Sequence, residues 1–350
     1  MGIGLSLPNR GVLFGAISVE EILDLAGIAD REQAFDSVWV GDSLIAKPRL
    51  EAIALLSAIA ARTRRVALGT ACMASFVYRH PVLFAIQWAS LDVISVGRAL
   101  LCACMGASGG RSAGAARQEV QVLQFRPQER VGRFEEGFQI VHRLLNEEHV
   151  THRGAFHEFD DLTIQPRPVQ RPVPMWIAND PNPDDPDLAE RQCRRVAAYA
   201  DGWMTDGGPT PAVFSARWQL LARCLRDANR DPSRFPSSYH MMVNIHADPG
   251  KAWEDGVRFL TEYYGTRLPD ERLRAWLASG SAEEVTSRIQ AYIDAGCKLP
   301  IVRFAAFDPA VQVRRFLDHV YPGLRLSPLE HISTSASSED GARMRRFEGI

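Results

Sequence analysis

A short apolar run, a turn and then a helix with 3.6-residue periodicity recurs about eight times along this chain, and that repeat constrains the fold more than any single motif. Parallel strands cannot be joined by a tight hairpin, so a helix between successive strands is the natural crossover. The first run is Ile3 to Leu7, after which Ser18 with Glu21 three residues later forms a capping box that opens a helix. Ser37 to Val40 is the second strand, ending at Gly41 and Asp42, and Pro48 is expected to start a helix through Ala61. Val66 to Thr70 and Ala99 to Met105 are the third and fourth strands, with a helix from Pro81 to about Ile94 between them. Four more strands are expected at Met175 to Ala178, Gly202 to Thr205, Tyr239 to His246 and Pro300 to Phe304. Helices are expected over Asp187 to Ala200, Pro211 to Ala228, Lys251 to Tyr264 and Ala310 to His319, and one more starts at Ser281, boxed by Glu284.

The repeat lapses after the fourth strand. Gly106 to Arg117 is a stretch of Gly, Ala, Ser and Arg too long for an ordinary connection, and it is a lid candidate. Arg130 to Asn146 is an amphipathic helix with Phe134, Phe138, Val141 and Leu145 on one stripe. Short alternating segments at His149 to Thr151, Ala155 to Phe159 and Leu162 to Gln165 read as a small β insertion. The expectation is an α/β fold, a (β/α)8 TIM barrel with both insertions after strand four, since no GxGxxG follows strand one to mark an open doubly wound sheet. One domain over residues 1–325 and a disordered tail over 326–350 complete the organisation. A barrel keeps its active site at the C-terminal ends of its strands. Here those ends carry Asp42 and Ser43, Thr70 to Met73, Cys104 to Gly110, Asn179 and Asp180, Asp206 and Gly207, and His246.

Charge narrows the function classes. Lys and Arg number 40 against 42 Asp and Glu, a formal charge of −2, which excludes a strongly basic nucleic-acid binder. No apolar stretch approaches the roughly 18 residues of a membrane span, and Met1 to Leu13 lacks a secretory pattern, so a cytoplasmic protein with six reduced cysteines is expected. His149, His152 and His157 match no metal-ligand spacing, and no metal is expected. Cys102 and Cys104 share one strand face and read as core or barrel lining rather than a redox pair. Arg64, Arg65, Arg194 and Arg195 read as solvated faces. His80, directly before Pro81, could cap a helix or touch a ligand. Asn179 to Asp187 is a rigid acidic loop at a helix N-terminus, able to hold a phosphate only if its carboxylates point away.

Several segments together resemble the bacterial luciferase-like family of flavin or deazaflavin oxidoreductases. They are FDSVWVGDS at Phe35 to Ser43, VALGTACM at Val66 to Met73 and RHPVLFAIQWASLDVISVGR at Arg79 to Arg98, the last being the most specific. RVGRFEEGFQIVHRLL at Arg130 to Leu145, the phrase from Arg153 to Ala178, YADGWMTDG at Tyr199 to Gly207 and GSAEEVTSRIQAYIDAG at Gly280 to Gly296 follow in family order, so the resemblance covers about residues 1 to 323. It implies a (β/α)8 barrel that binds reduced FMN, or alternatively the deazaflavin coenzyme F420, at its mouth. The ring would lie over Asp42, Thr70, Ala71 and Cys72, with a non-prolyl cis peptide between Ala71 and Cys72. Asp42, Ser43 and His80 become the catalytic candidates, and Thr70, Ala71, Cys72, Cys104, Gly106, Ser108, Arg111, Asn179 and Asp180 the cofactor-binding ones.

Three positions depart from the family pattern: Ser43 stands where many relatives have a histidine, Met105 and Gly106 where an arginine often binds the flavin phosphate, and Asn179 to Pro181 where a Gly-rich segment is usual. The implied activity is a monooxygenase using reduced FMN and O₂ on a small organic substrate. Hydride transfer with F420 is the alternative, and a catalytically silent flavin-binding barrel is the reading from another class. A separate flavin reductase and a second copy of the chain are the implied partners, with neither nucleic acid nor membrane.

Overall fold

The computed structural model describes residues 2–106, 113–205 and 207–326. Its elements in chain order are β1 (Ile3–Leu7), α1 (Val19–Arg31), β2 (Phe35–Val40), α2 (Ala52–Arg62), β3 (Ala67–Thr70), α3 (Pro81–Ser95) and β4 (Ala99–Ala103). Between β4 and the next barrel strand lie α4 (Ala113–Val122), α5 (Arg130–Asn146), β5 (Val150–Arg153) and β6 (Glu158–Leu162). The chain continues through β7 (Met175–Ala178), α6 (Pro186–Tyr199), β8 (Gly202–Thr205), α7 (Pro211–Asp227), β9 (Ser237–Ile245) and α8 (Pro249–Tyr264). It closes with α9 (Asp270–Trp276), β10 (Leu277–Gly280), α10 (Ala282–Asp294), β11 (Leu299–Phe304) and α11 (Pro309–Arg315).

Eight of these strands form a closed parallel barrel in the order β1, β2, β3, β4, β7, β8, β9, β11, and β11 returns to β1. Closure depends on the β8–β9 pairing, in which Thr205 stands opposite Tyr239. Inside, Trp39 and Trp176 pack with ring centroids 5.7 Å apart among Leu100, Cys102, Met204, Leu299 and Ile301. Two indoles fit there because the residue paired with each on the neighbouring strand has no side chain: a Cβ on Gly69 would clash with the Trp39 ring, and one on Gly202 with the Trp176 ring. The outward faces of the strands pack against the helices, which are held by the expected capping boxes at Ser18 with Glu21 and Ser281 with Glu284.

Several expectations need correction. Pro48 does not start α2. Glu51 accepts from the Ala54 N–H at 2.8 Å and caps a helix that begins at Ala52, while residues 43–51 form a loop over the mouth, tied down by Asn9 to the Leu50 carbonyl. The stretch Gly106 to Arg117 is not all loop, because residues from Ala113 onward belong to α4; residues 107–112, including Ser108 and Arg111, lie outside the described residues. The β insertion is a single antiparallel hairpin, β5 with β6, and Leu162 is the end of β6 rather than the start of a third segment. Its turn is gripped by Glu136 of α5, whose carboxylate accepts from the N–H groups of Ala155, Phe156 and His157 at 2.8–3.1 Å.

A ninth parallel strand went unanticipated. β10 pairs with Met242 to Ile245, the part of β9 that outruns β8. Arg65 is exposed, as expected, yet its guanidinium is fixed by donating to the carbonyls of Ala29, Asp30, Glu32 and Phe35 at the N-terminal end of the barrel. Arg195 pairs with Glu135 at 2.6 Å, fastening α6 to α5. The tail from residue 327 onward lies outside the described residues.

Candidate active site

The C-terminal ends of β3, β4, β7 and β8 open into a cavity of about 930 Å³, roofed by α4 and walled by α5 and α6. That size falls in the range of about 300–1,000 Å³ usual for cofactor and small-molecule sites. Five of the anticipated residues line it together: Cys72, Cys104, Gly106, Asn179 and Asp180. The Ala71–Cys72 peptide is cis, as expected. Ala71 and Cys72 also pack against the inner cluster of the barrel, so the floor of the cavity is continuous with the tryptophan layer. Gly106 has φ +72°, and a Cβ there would meet the Ala74 carbonyl oxygen at 2.8 Å, so the turn out of β4 requires glycine.

Asn179 and Asp180 are committed to the frame. Asn179 accepts from the Trp203 indole N–H at 2.8 Å and donates to the Gln192 carbonyl of α6 at 3.2 Å. The Asp180 carboxylate accepts from Thr205 at 2.5 Å and lies 3.3 Å from the Arg217 guanidinium, which also donates to the Pro181 carbonyl. The start of α6 suits a phosphate poorly. Its N-cap Asp185 takes the Leu188 N–H, Pro186 has no N–H, and Asp187 adds a further negative charge to the first turn.

The remaining candidates lie elsewhere. Thr70 is buried between β3 and β4, donating to the Cys102 carbonyl at 2.9 Å and accepting from the Cys102 N–H at 3.2 Å. Ser43 accepts from the Lys47 N–H at 3.0 Å within the β2–α2 loop. Asp42, its side chain 1 % exposed, accepts from the Ser75 N–H at 2.7 Å and faces Arg79 at 3.6 Å. Arg79 in turn contacts Ser75 Oγ and Glu51, each at 2.7 Å. The acid at the end of strand two therefore organises the β3–α3 loop and does not line the cavity.

His80 is exposed at the N-cap of α3 without capping through its side chain. It borders a separate cavity of about 240 Å³ with Arg79, Arg133 and His157. The His80 and His157 rings are 5.1 Å apart, and burial together with the nearby His80 pulls the His157 pKa below the usual imidazole value. The other two histidines of the insertion have separate partners, His149 with Asp161 at 2.7 Å and His152 with Glu136 at 3.4 Å.

Apart from Arg117, at the end of the expected lid stretch, the residues that give the cavity its chemistry carry no site motif in the sequence. From the roof come Ala116, Arg117, Val120 and Gln121; from α5 Arg130, Val131 and Phe134; from β7 and β8 Ile177 and Met204; and from α6 Gln192. The roof is latched across the mouth. Glu119 is buried, and its carboxylate accepts from the N–H groups of Ile45 and Ala46 at 3.2 and 2.5 Å, joining α4 to the β2–α2 loop.

An eight-stranded parallel barrel with a cavity of about 930 Å³ at the C-terminal strand ends, enlarged by insertions after the fourth strand, defines a TIM-barrel enzyme architecture. Residues 1–266 match the family described as Luciferase-like monooxygenase, and the chain belongs to that family. An F420-dependent glucose-6-phosphate dehydrogenase of Nakamurella multipartita is 28% identical over 337 residues, covering 87% of this chain and 92% of that protein. A 4-hydroxyprotoasukamycin monooxygenase of Streptomyces nodosus subsp. asukaensis is 26% identical over 260 residues, covering 71% of this chain and 66% of the relative. Among solved structures, the monooxygenase RslO1 from Streptomyces bottropensis superposes with a TM-score of 0.75 at 23% identity, covering 92% of this chain and 99% of that one. Among the described residues, no helix is long and apolar enough to cross a membrane.

Proposed function

We propose that the protein is an oxidoreductase that binds F420 in the cavity above β3, β4 and β7 and exchanges a hydride with a small, largely apolar organic substrate. The observation that carries this reading is the cavity itself: its floor of Cys72, Ile177, Ala178 and Met204 can face a flat ring, and the Arg117 and Arg130 side chains add positive charge at its rim. When bound, the deazaflavin supplies hydride chemistry. The chain supplies a platform at Ala71 and Cys72, a roof that excludes water, and side-chain amides at Gln121, Gln124 and Gln192 to orient polar groups. Relatives named for F420 that span most of this chain favour this cofactor over FMN.

A second reading, a monooxygenase using reduced FMN and O₂, is favoured by the apolar wall of Val120, Val131, Phe134, Ile177 and Met204, which suits a dry site better than a sugar phosphate. Such an enzyme would need a separate flavin reductase. Anaerobic titration of the purified protein with reduced FMN and reduced F420 in parallel, followed by admission of air, separates the readings. Tight binding of reduced F420 without oxygen consumption supports the first. Oxygen consumption dependent on bound reduced FMN supports the second, and binding of neither removes both.

We further propose that the protein works in the cytoplasm as a dimer. Leu83, Val93 and Ile94 are exposed on α3, whose one charged residue, Asp92, is buried; Val96 just past its end is exposed as well, as are Ala58 and Ala61 on α2. A second copy is the partner such a self-complementary face suits. Light scattering on L83E, expected to give monomers, checks it.

A further inference from the structure

We infer that Arg303, on the far side of the barrel mouth from the large cavity, receives the carboxylate of an otherwise apolar substrate. The inference deepens the proposed function and rests on it only for calling that ligand the substrate. In the barrel order β11 and β1 stand opposite β4 and β7, so an acid held there lies across the mouth from the floor of Cys72 and Ala178.

Arg303 is the penultimate residue of β11 and is 1 % exposed. Ile301, two residues earlier, belongs to the inner cluster, so strand alternation turns Arg303 into the barrel as well. A guanidinium carries a permanent charge and five N–H donors. Here Nη2 donates to Ser6 Oγ at 2.9 Å and Nη1 to the Tyr264 hydroxyl at 3.4 Å, both neutral acceptors, and the buried Nε–H has none. The Tyr263 ring lies 4.9 Å from the guanidinium carbon. Among the described residues no carboxylate pairs with Arg303. An uncompensated buried cation is costly, and an arriving anion removes that cost.

A second observation lies at the rim beside it. Arg10 and Arg49 are both half-buried, and among the described residues neither is ion-paired. Arg10 donates through its backbone N–H to the Tyr263 hydroxyl at 3.4 Å, and Arg49 donates to the Lys47 carbonyl at 3.1 Å. Burial and the Arg49 charge pull the Arg10 pKa below its usual value, as expected of cations held close together. Lys47 Nζ stands 5.4 Å from the centre of the Tyr264 ring. The tyrosines that enclose Arg303 thus also carry a rim of positive charge, and Tyr264, half-buried where Tyr263 and Trp276 are buried, marks the way in.

The surroundings select the kind of anion. Tyr264 packs on Tyr263 and Trp276 with ring centroids 5.2 and 5.4 Å apart, so the enclosure is aromatic. One buried positive charge neutralises one negative charge there, whereas a phosphate would bring a second into the same dry place. A carboxylate is a planar monoanion that a guanidinium edge can hold by two parallel N–H bonds.

The test is calorimetric titration of acetate, benzoate and octanoate, each beside its neutral amide, into the wild type, R303M and R49Q. The wild type should prefer benzoate or octanoate over the amide by roughly 10- to 100-fold, the scale of one charge-assisted hydrogen bond. R303M should lose that preference while binding the amide unchanged, and R49Q should lose part of it. Absence of any preference in the wild type, or its survival in folded R303M, would overturn the inference. If R303M does not fold, an undiminished preference in R49Q does the same. Phenyl phosphate binding more tightly than benzoate would also overturn it. Repeating the titrations with saturating reduced F420 or reduced FMN separates this site from the cofactor's: the carboxylate should bind alongside either, and displacement of the cofactor would place it in the large cavity and overturn the assignment to Arg303. If neither cofactor binds, the proposed function fails on its own, and the loss of carboxylate preference in R303M still decides this site.

Discussion

Asp42 separates a catalytic reading from an architectural one, and the two make opposite predictions. Its Oδ2 accepts the Ser75 N–H at 2.7 Å, its Oδ1 faces Arg79 at 3.6 Å, and its side chain is 1 % exposed. In D42N the shape survives and one amide oxygen can still accept from Ser75, but the charge is lost. A hydrogen bond to a charged group contributes about 1.5–3 kcal/mol and a neutral one about 1 kcal/mol, so that bond weakens by about 0.5–2 kcal/mol. Removing one member of a buried ion pair costs about 3–5 kcal/mol when the other is stranded, yet Arg79 keeps Glu51 at 2.7 Å, so the loss here is smaller. The expected sum is about 1–3 kcal/mol, read as a lower urea midpoint with an unchanged slope. Hydrogen exchange should quicken between Met73 and Arg79, the loop that Asp42 holds. An acid or base at the ring edge would instead lose turnover by about 10² with stability nearly unchanged. Wild-type stability in D42N combined with that loss of turnover would refute the architectural account.

Three further outcomes follow from the same geometry. E119A should free the N–H groups of Ile45 and Ala46, cost about 2 kcal/mol and speed exchange at those two amides; unchanged exchange there would mean α4 is held otherwise. His157 has a folded pKa depressed by burial and by His80, so the unfolded chain binds its proton first: stability should fall as pH drops below the unfolded value of 6.5 and through the depressed folded value, and H157Q should flatten that acid limb. Burial pushes the Cys193 and Cys297 thiols up to about 12, so at pH 8 a maleimide should leave both unmodified in the native protein and react first at half-buried Cys72 and Cys104, with bound cofactor protecting that pair; labelling of Cys297 before Cys104 in mass spectra would contradict the cavity assignment.

The barrel was legible because its signals are local. Each strand is a short apolar run, each helix has its own cap, and β1, β7, β8 and α5 fall where the periodicity places them. The ninth strand hid because Leu277–Gly280 is four residues of mixed character whose pairing depends on how far β9 outruns β8. The roof helix hid behind a Gly- and Ala-rich lead, and its latch, Glu119, bonds a loop far back in the chain that no local pattern couples to it. Asp42 could be placed at a strand end, but whether it faces a ring or the Ser75 loop depends on contacts outside its own segment.

Arg130 is the instructive case, because its signal was present in the sequence. It stands four residues before Phe134, on the stripe that Phe138, Val141 and Leu145 continue, so the helix buries a cation among its apolar side chains. A charge on a buried stripe needs a reason, and here the reason lies at the cavity. The strand ends provide the floor and α6 one wall, while the positive charge, the roof and the α5 wall come from the segment between β4 and β7. Discrimination among ligands of this cavity should therefore follow changes in α4 and α5 more closely than changes in the eight strands.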